Sequence, residues 1–112
     1  MSPDCLFCRI VRGEARATKV YEDDDAFAFE DIAPKSPTHV LVVPKKHVAN
    51  TEDASGDPLL LGRVFAAAAR VARERGLSDY RLVVNNGRGV GQSVLHLHVH
   101  LMGGRPFSWP PG

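Results

Sequence analysis

The pattern of apolar and polar positions along the chain predicts five short strands. Each is a short apolar or alternating run bounded by turn-forming Asp, Pro or Gly residues. The expected strands are 19–22, 26–29, 39–43, 80–85 and 94–102, with turns at 23–25 and 34–37. The first two strands flank an acidic turn and therefore form a hairpin, and the third is buried and stops at Pro44.

The same pattern predicts one long and one short helix. Asp57 is a good N-cap, Pro58 suits the first helical position, and Gly76 fits just past the helix end. Between them apolar residues recur at helical spacing, with most of the arginines on the opposite side. A second apolar run at 6–11 predicts one or two helical turns that end by Gly13. The fold class is therefore α+β, with an antiparallel sheet of about five strands covered by the long helix.

Composition narrows the function classes. The 112 residues suit one domain over 1–112 with a single core, for which dimerisation would add stability. A net charge of +1 gives no basis for nucleic-acid or acidic-membrane binding through bulk electrostatics. No apolar stretch reaches membrane-spanning length, and the first residues lack the basic, apolar character of a signal peptide. We therefore expect a cytoplasmic protein without a nucleic-acid or membrane partner.

Three of the five histidines alternate with apolar residues near the C-terminus. On a strand, His96, His98 and His100 share one face, and the residues between them point to the other. The apolar residues of that second face are Leu95, Leu97, Val99 and Leu101. Imidazole titrates near neutrality, so a row of three can accept a proton, donate one or attack as a nucleophile at working pH.

A metal site and a solvated polar face are the alternatives for this row. At about 3.3 Å per residue, His96 and His100 lie about 13 Å apart on a strand, so one ion could bind all three histidines only if the strand were distorted. No Asp or Glu follows Asp79, so a downstream carboxylate ligand is missing as well. The strict alternation favours an acid/base and nucleophile array.

The glycine-rich segment 87–93 directly precedes the histidines. Its glycines let main-chain N–H groups approach an anion closely, and Gln92 and Ser93 add donors. The segment lacks the Gly-Lys-Ser/Thr ending of a P-loop, and a glycine-rich loop alone is more often a simple hairpin connection. Its place beside the imidazoles favours phosphate binding.

Together these residues resemble the histidine triad (HIT) superfamily. Residues 91–100, Gly-Gln-Ser-Val-Leu-His-Leu-His-Val-His, resemble the family signature. The ending at 103–112, Gly-Gly-Arg-Pro-Phe-Ser-Trp-Pro-Pro-Gly, is similar to the tail of the Hint branch of purine nucleoside phosphoramidases. Further segments similar to Hint proteins occur at 29–32, 37–39, 43–47 and 83–85. The resemblance implies a HIT-like fold in a two-fold dimer.

The resemblance also implies a covalent mechanism without a catalytic cofactor. His98 would be the nucleophile that attacks the α-phosphorus, giving a nucleotidyl-histidine that water then hydrolyses. His100 and Ser93 would contact the phosphate and the leaving group. His39 would orient or deprotonate His98, assisted by the main-chain carbonyl of His96.

The implied nucleotide site combines an apolar slot for the purine, a carboxylate for the ribose and donors for the phosphate. The slot residues are Phe7, Ile10, Phe29 and Ile32, and the carboxylate is that of Asp31. The phosphate residues are Asn85, Gly91, Gln92, Ser93 and Val94, together with His98 and His100. Trp109, whose large apolar surface favours docking, would contact the substrate across the two-fold dimer.

Cys5 and Cys8 form a second chemical feature. Two cysteines at this spacing suit thiolate ligands, a redox pair or buried thiols, whereas a disulfide is disfavoured in a cytosolic chain. A structural zinc ion needs four ligands. Some bacterial HIT proteins with similar cysteines complete a zinc site at the positions of His47 and His96, so the resemblance implies structural zinc held by these four residues.

We therefore predict a nucleotide-binding hydrolase that cleaves the P–N or a related bond of purine nucleoside 5′-phosphoramidates or aminoacyl-adenylates. The expected ligand is an AMP-like purine nucleotide, and the expected partner is a second copy of the chain. The alternatives are a dinucleoside polyphosphate hydrolase or nucleotidyltransferase of another HIT branch, and a nucleotide-binding protein with little turnover.

Overall fold

The computed structural model describes residues 5–112, so the expectation for the chain's first residues falls largely on 1–4, outside the described part. Helices α1 and α2 span Leu6–Val11 and Pro58–Glu74, and strands β1 to β5 span Lys19–Glu22, Ala26–Glu30, Thr38–Pro44, Tyr80–Val83 and Val99–Gly103. All neighbouring strands pair antiparallel, in the order β1-β2-β3-β5-β4. The predicted α+β fold is confirmed. Within residues 5–112, neither helix is long and apolar enough to cross a membrane.

The two faces of the sheet carry side chains of different size. Along β2 the small Ala26 and Ala28 pack with α2, whereas Phe27 and Phe29 belong to a separate apolar cluster on the opposite face. Small residues let α2 lie close to the sheet and bury its apolar stripe. The core between α2 and the sheet also contains Val40, Val42, Val64, Val71, Val99 and Leu101.

The long helix begins and ends where its sequence predicts. The Asp57 side chain accepts the N–H of Leu60 at 3.2 Å, and Gly76 follows the helix with a φ of +71°, a conformation that favours glycine. The other boundaries differ slightly. β3 is one residue longer than predicted at each end, and β4 ends at Val83, two residues early.

The predicted histidine strand is wrong in extent. β5 begins at Val99, so His100 lies in it while His96 and His98 precede it. Leu95 is 39% exposed instead of pointing into a core. The three histidines therefore do not form one row on a strand face.

Pro44 explains where the strand stops. The pairing of β5 with β3 reaches only as far as Val42, because proline has no N–H to continue the ladder. The Pro44 carbonyl instead accepts the imidazole N–H of His96 at 2.8 Å. The N–H of Leu97 donates to the carbonyl of Val48 at 2.8 Å. These two bonds draw the chain before β5 away from strand geometry.

The stability of the fold is expected to depend strongly on Leu101. This side chain is 0% exposed between α2 and the sheet, so Leu101→Ala should leave a cavity and lower the free energy of unfolding by about 2–5 kcal/mol. Urea unfolding at constant m-value measures the loss. Leu95→Ala is the matched control and should cost well under half as much. Equal losses would contradict the assignment of the core.

Candidate active site

The sheet face opposite α2 carries a cleft of about 1120 Å³. Helix α1 and the chain at 12–18 form one side of it, and the segment at 93–100 contributes polar groups. Nine of the residues expected from the sequence line this cleft: Phe7, Ile10, Phe29, Asp31, Ile32, Ser93, Val94, His98 and His100. The cleft therefore brings together most of the residues that the resemblance implies for binding a nucleotide.

Four expected binding residues lie outside the cleft lining of the described chain. They are Asn85, Gly91, Gln92 and Trp109. Trp109 is 82% exposed on this single chain, and Ile32, although it lines the cleft, is 100% exposed. The outer part of the slot is therefore uncovered in one copy of the protein.

The side chain of Gln92 is hydrogen-bonded within the protein. Its side chain is 1% exposed. Its amide nitrogen donates to the carbonyls of Ala49 and Val94 at 2.7 and 3.1 Å, and its oxygen accepts the N–H of Gly87 at 2.8 Å. Because buried polar groups need partners, these bonds tie Gln92 to the glycine-rich loop and to the chain at Ala49, and they occupy its amide nitrogen.

Phe27 and Leu41 line the cleft although sequence reasoning did not assign them to it. The signal was the alternation of alanine and phenylalanine over 26–29. Residues two apart on a strand share a face, so the partner of Phe29 in the slot could have been found by period two alone.

His98 has a defined tautomer. Its Nδ1 lies 2.8 Å from the main-chain carbonyl oxygen of His96, which can only accept a hydrogen bond. Nδ1 therefore carries the proton, and Nε2 keeps its lone pair. Phe7 contacts the imidazole edge-on, with ring centroids 5.1 Å apart, and so holds the ring from the side. The arrangement presents an unprotonated nitrogen at the cleft.

The side chain of His39 is paired with that of His100. The N–H of Lys35 donates to His39 Nδ1 at 3.0 Å, so the proton of the neutral imidazole sits on Nε2. That nitrogen lies 2.9 Å from His100 Nδ1, which accepts. His100 consequently carries its own proton on Nε2. His98 and His100 thus have opposite tautomers, with ring centroids 5.0 Å apart.

Asp31 lies next to this pair. One carboxylate oxygen accepts the N–H of Ala33 at 2.8 Å, and the other lies 3.3 Å from His39 Nε2. Asp31, His39 and His100 offer atoms close enough together for a metal ion. The proton on His39 Nε2 argues against that use, because a ligating imidazole nitrogen must be unprotonated. The trio is better described as a hydrogen-bonded relay.

Burial keeps the cleft histidines neutral. It lowers the pKa of His100 to about 4, helped by the neighbouring imidazoles of His98 and His39. It also lowers the pKa of His98, against the opposing effect of the hydrogen bond to the His96 carbonyl. Near pH 7 His98 is therefore already in the form that can attack, without prior loss of a proton.

The side chain of His96 belongs to a second cluster. Its Nε2–H donates to Pro44, so Nδ1 carries a lone pair and faces the thiols of Cys5 and Cys8 at 3.3 and 3.5 Å. His47 Nδ1 lies 3.3 Å from both the Cys8 sulfur and His96 Nδ1. The two cysteines are buried and not joined by a disulfide. Burial lowers the pKa of His96 to about 4, which keeps it neutral.

The spacing of this cluster fits a tetrahedral zinc ion. Zinc bonds of about 2.0 Å to nitrogen and about 2.3 Å to sulfur place tetrahedral ligands about 3.3 Å apart for two nitrogens and about 3.5 Å apart for nitrogen and sulfur. The four ligand atoms lie within 4.8 Å of one another, with measured separations of 3.3 to 3.5 Å. The two-thiol, two-imidazole donor set is one that structural zinc prefers.

An antiparallel sheet with one long helix behind it and a histidine-lined cleft in front defines the class of this protein. Residues 12–107 match the model of the HIT domain, and the chain belongs to that family. It is 50% identical over 114 residues to an uncharacterized HIT-like protein of Synechocystis sp., with both chains fully covered.

Solved structures show the same likeness. A HIT family hydrolase from Legionella pneumophila Philadelphia 1 superposes with a TM-score of 0.93 at 49% identity, covering 97% of this chain and 100% of that one. A histidine triad protein from Clostridium difficile has a TM-score of 0.92 at 38% identity, with 96% of each chain covered.

Proposed function

We propose that this protein is a cytoplasmic nucleotidyl hydrolase of the Hint kind, acting on purine nucleoside 5′-phosphoramidates or aminoacyl-adenylates. The observation that carries the proposal is the tautomer of His98. Its Nδ1–H is held by the carbonyl of His96, which leaves Nε2 as a nucleophile beside the donors of His100 and Ser93. The membership of the chain in the HIT family supports the same reaction class.

The first step transfers the nucleotidyl group to the enzyme. The lone pair of His98 Nε2 attacks the α-phosphorus, the new N–P bond forms, and the P–N bond to the amine breaks. The amine leaves with the electron pair and a proton taken up from solvent. The imidazole becomes positively charged, and the His96 carbonyl on Nδ1–H stabilises that charge. His100 Nε2–H and the Ser93 hydroxyl donate hydrogen bonds to the phosphate oxygens.

The second step restores the enzyme. Water attacks the phosphorus, the bond to His98 Nε2 breaks, and the nucleoside monophosphate leaves. The water loses the proton that balances the one taken up with the amine. Because His98 keeps its Nδ1 proton throughout, it returns directly to the nucleophilic tautomer.

The remaining cleft residues bind the nucleotide in this proposal. Phe7 and Phe29, whose rings meet edge-on at 5.3 Å, form the purine slot with Ile10. Asp31 accepts hydrogen bonds from the ribose hydroxyls, beside its contact with His39. The main chain at Val94 and the hydroxyl of Ser93 lie at the phosphate end.

A structural zinc ion is part of the proposal. Cys5, Cys8, His47 and His96 would hold it. The ion would supply a four-ligand cross-link between α1 and the chain after β3 and before β5, and it would take no part in the reaction.

We assign the protein a homodimeric state. Apolar side chains are exposed on α2 and at the sheet edge, including Leu59, Phe65 and Tyr80. β4 is an edge strand. Covering these groups in a second copy would bury apolar area, and an exposed Trp109 would then lie against the partner's cleft.

A dinucleoside polyphosphate hydrolase is the second candidate. The cleft volume of about 1120 Å³ exceeds the roughly 300–1,000 Å³ usual for small-ligand sites. The cleft continues past the slot to Arg12 and Arg16, which would suit a longer anionic substrate.

Mass spectrometry of the intact protein tests the proposal. Quenching with denaturant at alkaline pH, where a P–N bond to histidine survives, should trap the wild-type protein with one nucleotidyl group added during turnover of an adenosine 5′-phosphoramidate, and His98→Ala should show none. Faster turnover of a dinucleoside polyphosphate than of the phosphoramidate would favour the second candidate. Failure to trap the adduct, with equal turnover by His98→Ala, would refute the covalent mechanism.

A further inference from the structure

His96 connects the Cys5, Cys8 and His47 cluster with the histidines of the cleft. Its imidazole lies among the thiols and His47, while its main-chain carbonyl accepts the Nδ1–H of His98 at 2.8 Å. Only one residue separates the cluster from the nucleophile along the chain. The contacts of the His96 side chain therefore help to place the carbonyl that fixes the His98 tautomer.

Helix α1 gives the cluster a second route to His98. It has six residues, too few to be stable without tertiary contacts. The sulfur of Cys5 accepts the N–H of Cys8 at 3.3 Å and caps the helix, and both thiols face the cluster. Phe7 lies between the two cysteines in the chain. Its ring contacts the rings of His96 and His98, with centroids 6.0 and 5.1 Å apart. The cluster thus holds the aromatic wall of the cleft.

We infer that Cys5, Cys8 and His47 are positioning residues for the nucleophile, in addition to any role in holding the fold together. The cluster fixes the carbonyl on His98 Nδ1 from one side and the Phe7 ring from another. When the cluster is broken, His96 keeps its bond to Pro44 but loses its contacts with the thiols and His47. The carbonyl on His98 Nδ1 is then less firmly placed, and the Nε2–H tautomer, which cannot attack phosphorus, becomes more populated. This inference rests on the proposed role of His98.

His47 offers the sharpest test, because it lies outside α1 and outside the cleft lining. His47→Ala removes one ligand, whereas His47→Cys keeps a four-ligand set that zinc accepts. Val43→Ala is the matched control. It removes buried apolar volume from the part of the core that also contains the two cysteines, and it leaves the four Cys and His side chains in place.

The readout is the protonation of His98 Nδ1 and Nε2, followed by long-range ¹H–¹⁵N NMR at fixed neutral pH, with metal content measured on the same samples. We expect Nδ1–H in the wild type, His47→Cys and Val43→Ala, and a mixture with Nε2–H in His47→Ala. The kcat for a phosphoramidate should fall tenfold or more in His47→Ala and less than twofold in Val43→Ala.

The outcomes separate the two proposals. A folded His47→Ala protein with His98 still protonated on Nδ1 and a kcat matching Val43→Ala would overturn the positioning role. If His47→Ala does not fold, the wild type treated with a chelator below its unfolding temperature gives the same comparison. Because the tautomer is measured without substrate, a wild type that lacks turnover would refute the proposed function and leave the coupling measurable.

Discussion

Replacing His98 with asparagine is expected to lower kcat/KM for an adenosine phosphoramidate by about 10⁴-fold or more. Asparagine can still donate to the His96 carbonyl, so the chain before β5 should keep its path. It has no nucleophilic nitrogen to replace Nε2. The loss should appear in kcat, because the covalent route is removed and the residues that bind the nucleotide remain.

Two measurements on the same variant make this result specific. The thermal unfolding midpoint should stay close to that of the wild type, and the affinity for AMP should change only a few-fold, since Phe7, Phe29 and Asp31 are untouched. A His98→Asn protein that binds AMP normally and retains more than a tenth of the wild-type kcat would show that water attacks the substrate directly. The covalent mechanism would then be abandoned.

The local sequence pattern was sufficient to predict those elements whose boundaries depend on neighbouring residues. The acidic turn of the first hairpin, the Asp57 cap and Gly76 each satisfy a requirement within four residues of chain, and they are found where expected. The alternation along 26–29 likewise separates the face that meets α2 from the face that lines the cleft.

The histidine strand failed because its path is decided by distant groups. His96 is drawn out of line by the carbonyl of Pro44, 52 positions away, and by thiols about 90 positions away. An alternation with a period of two residues identifies the face of a strand, but it gives no information about partners that are distant in the sequence. The resemblance implied that these cysteines and histidines lie together, but it did not give the position where the strand begins.

Gln92 and His39 show the same limit for individual side chains. A glutamine beside glycines suggests a ligand donor, yet this amide donates to the carbonyls of Ala49 and Val94 and accepts the N–H of Gly87. His39 and His100 are 61 positions apart, and their bond follows from the register of β3 against β5. That register emerges only when the sheet is assembled.

In the proposed mechanism His100 donates to the phosphate most strongly in the transition state, so His100→Ala is expected to reduce kcat by about 10²–10³-fold. His100→Gln should recover part of the loss, since its terminal amide can donate from near the position of Nε2. KM should change less than kcat in both variants. Steady-state kinetics at pH 7 on both proteins measures the difference, and equal activity of the two variants would contradict a donor role.

The pH dependence of stability tests the neutral state of the same residue. Burial lowers the pKa of His100 to about 4 from an ordinary value of 6.5, so the unfolded chain binds a proton that the folded chain excludes. Stability is therefore greatest above about pH 6.5 and falls as the pH drops toward 4. His100→Gln lacks this group, so its free energy of unfolding should fall less than that of the wild type between pH 7 and pH 4.5 in urea unfolding. An identical decline in both proteins would show that folding does not lower the pKa of His100, and the neutral state assigned to it would lose its support.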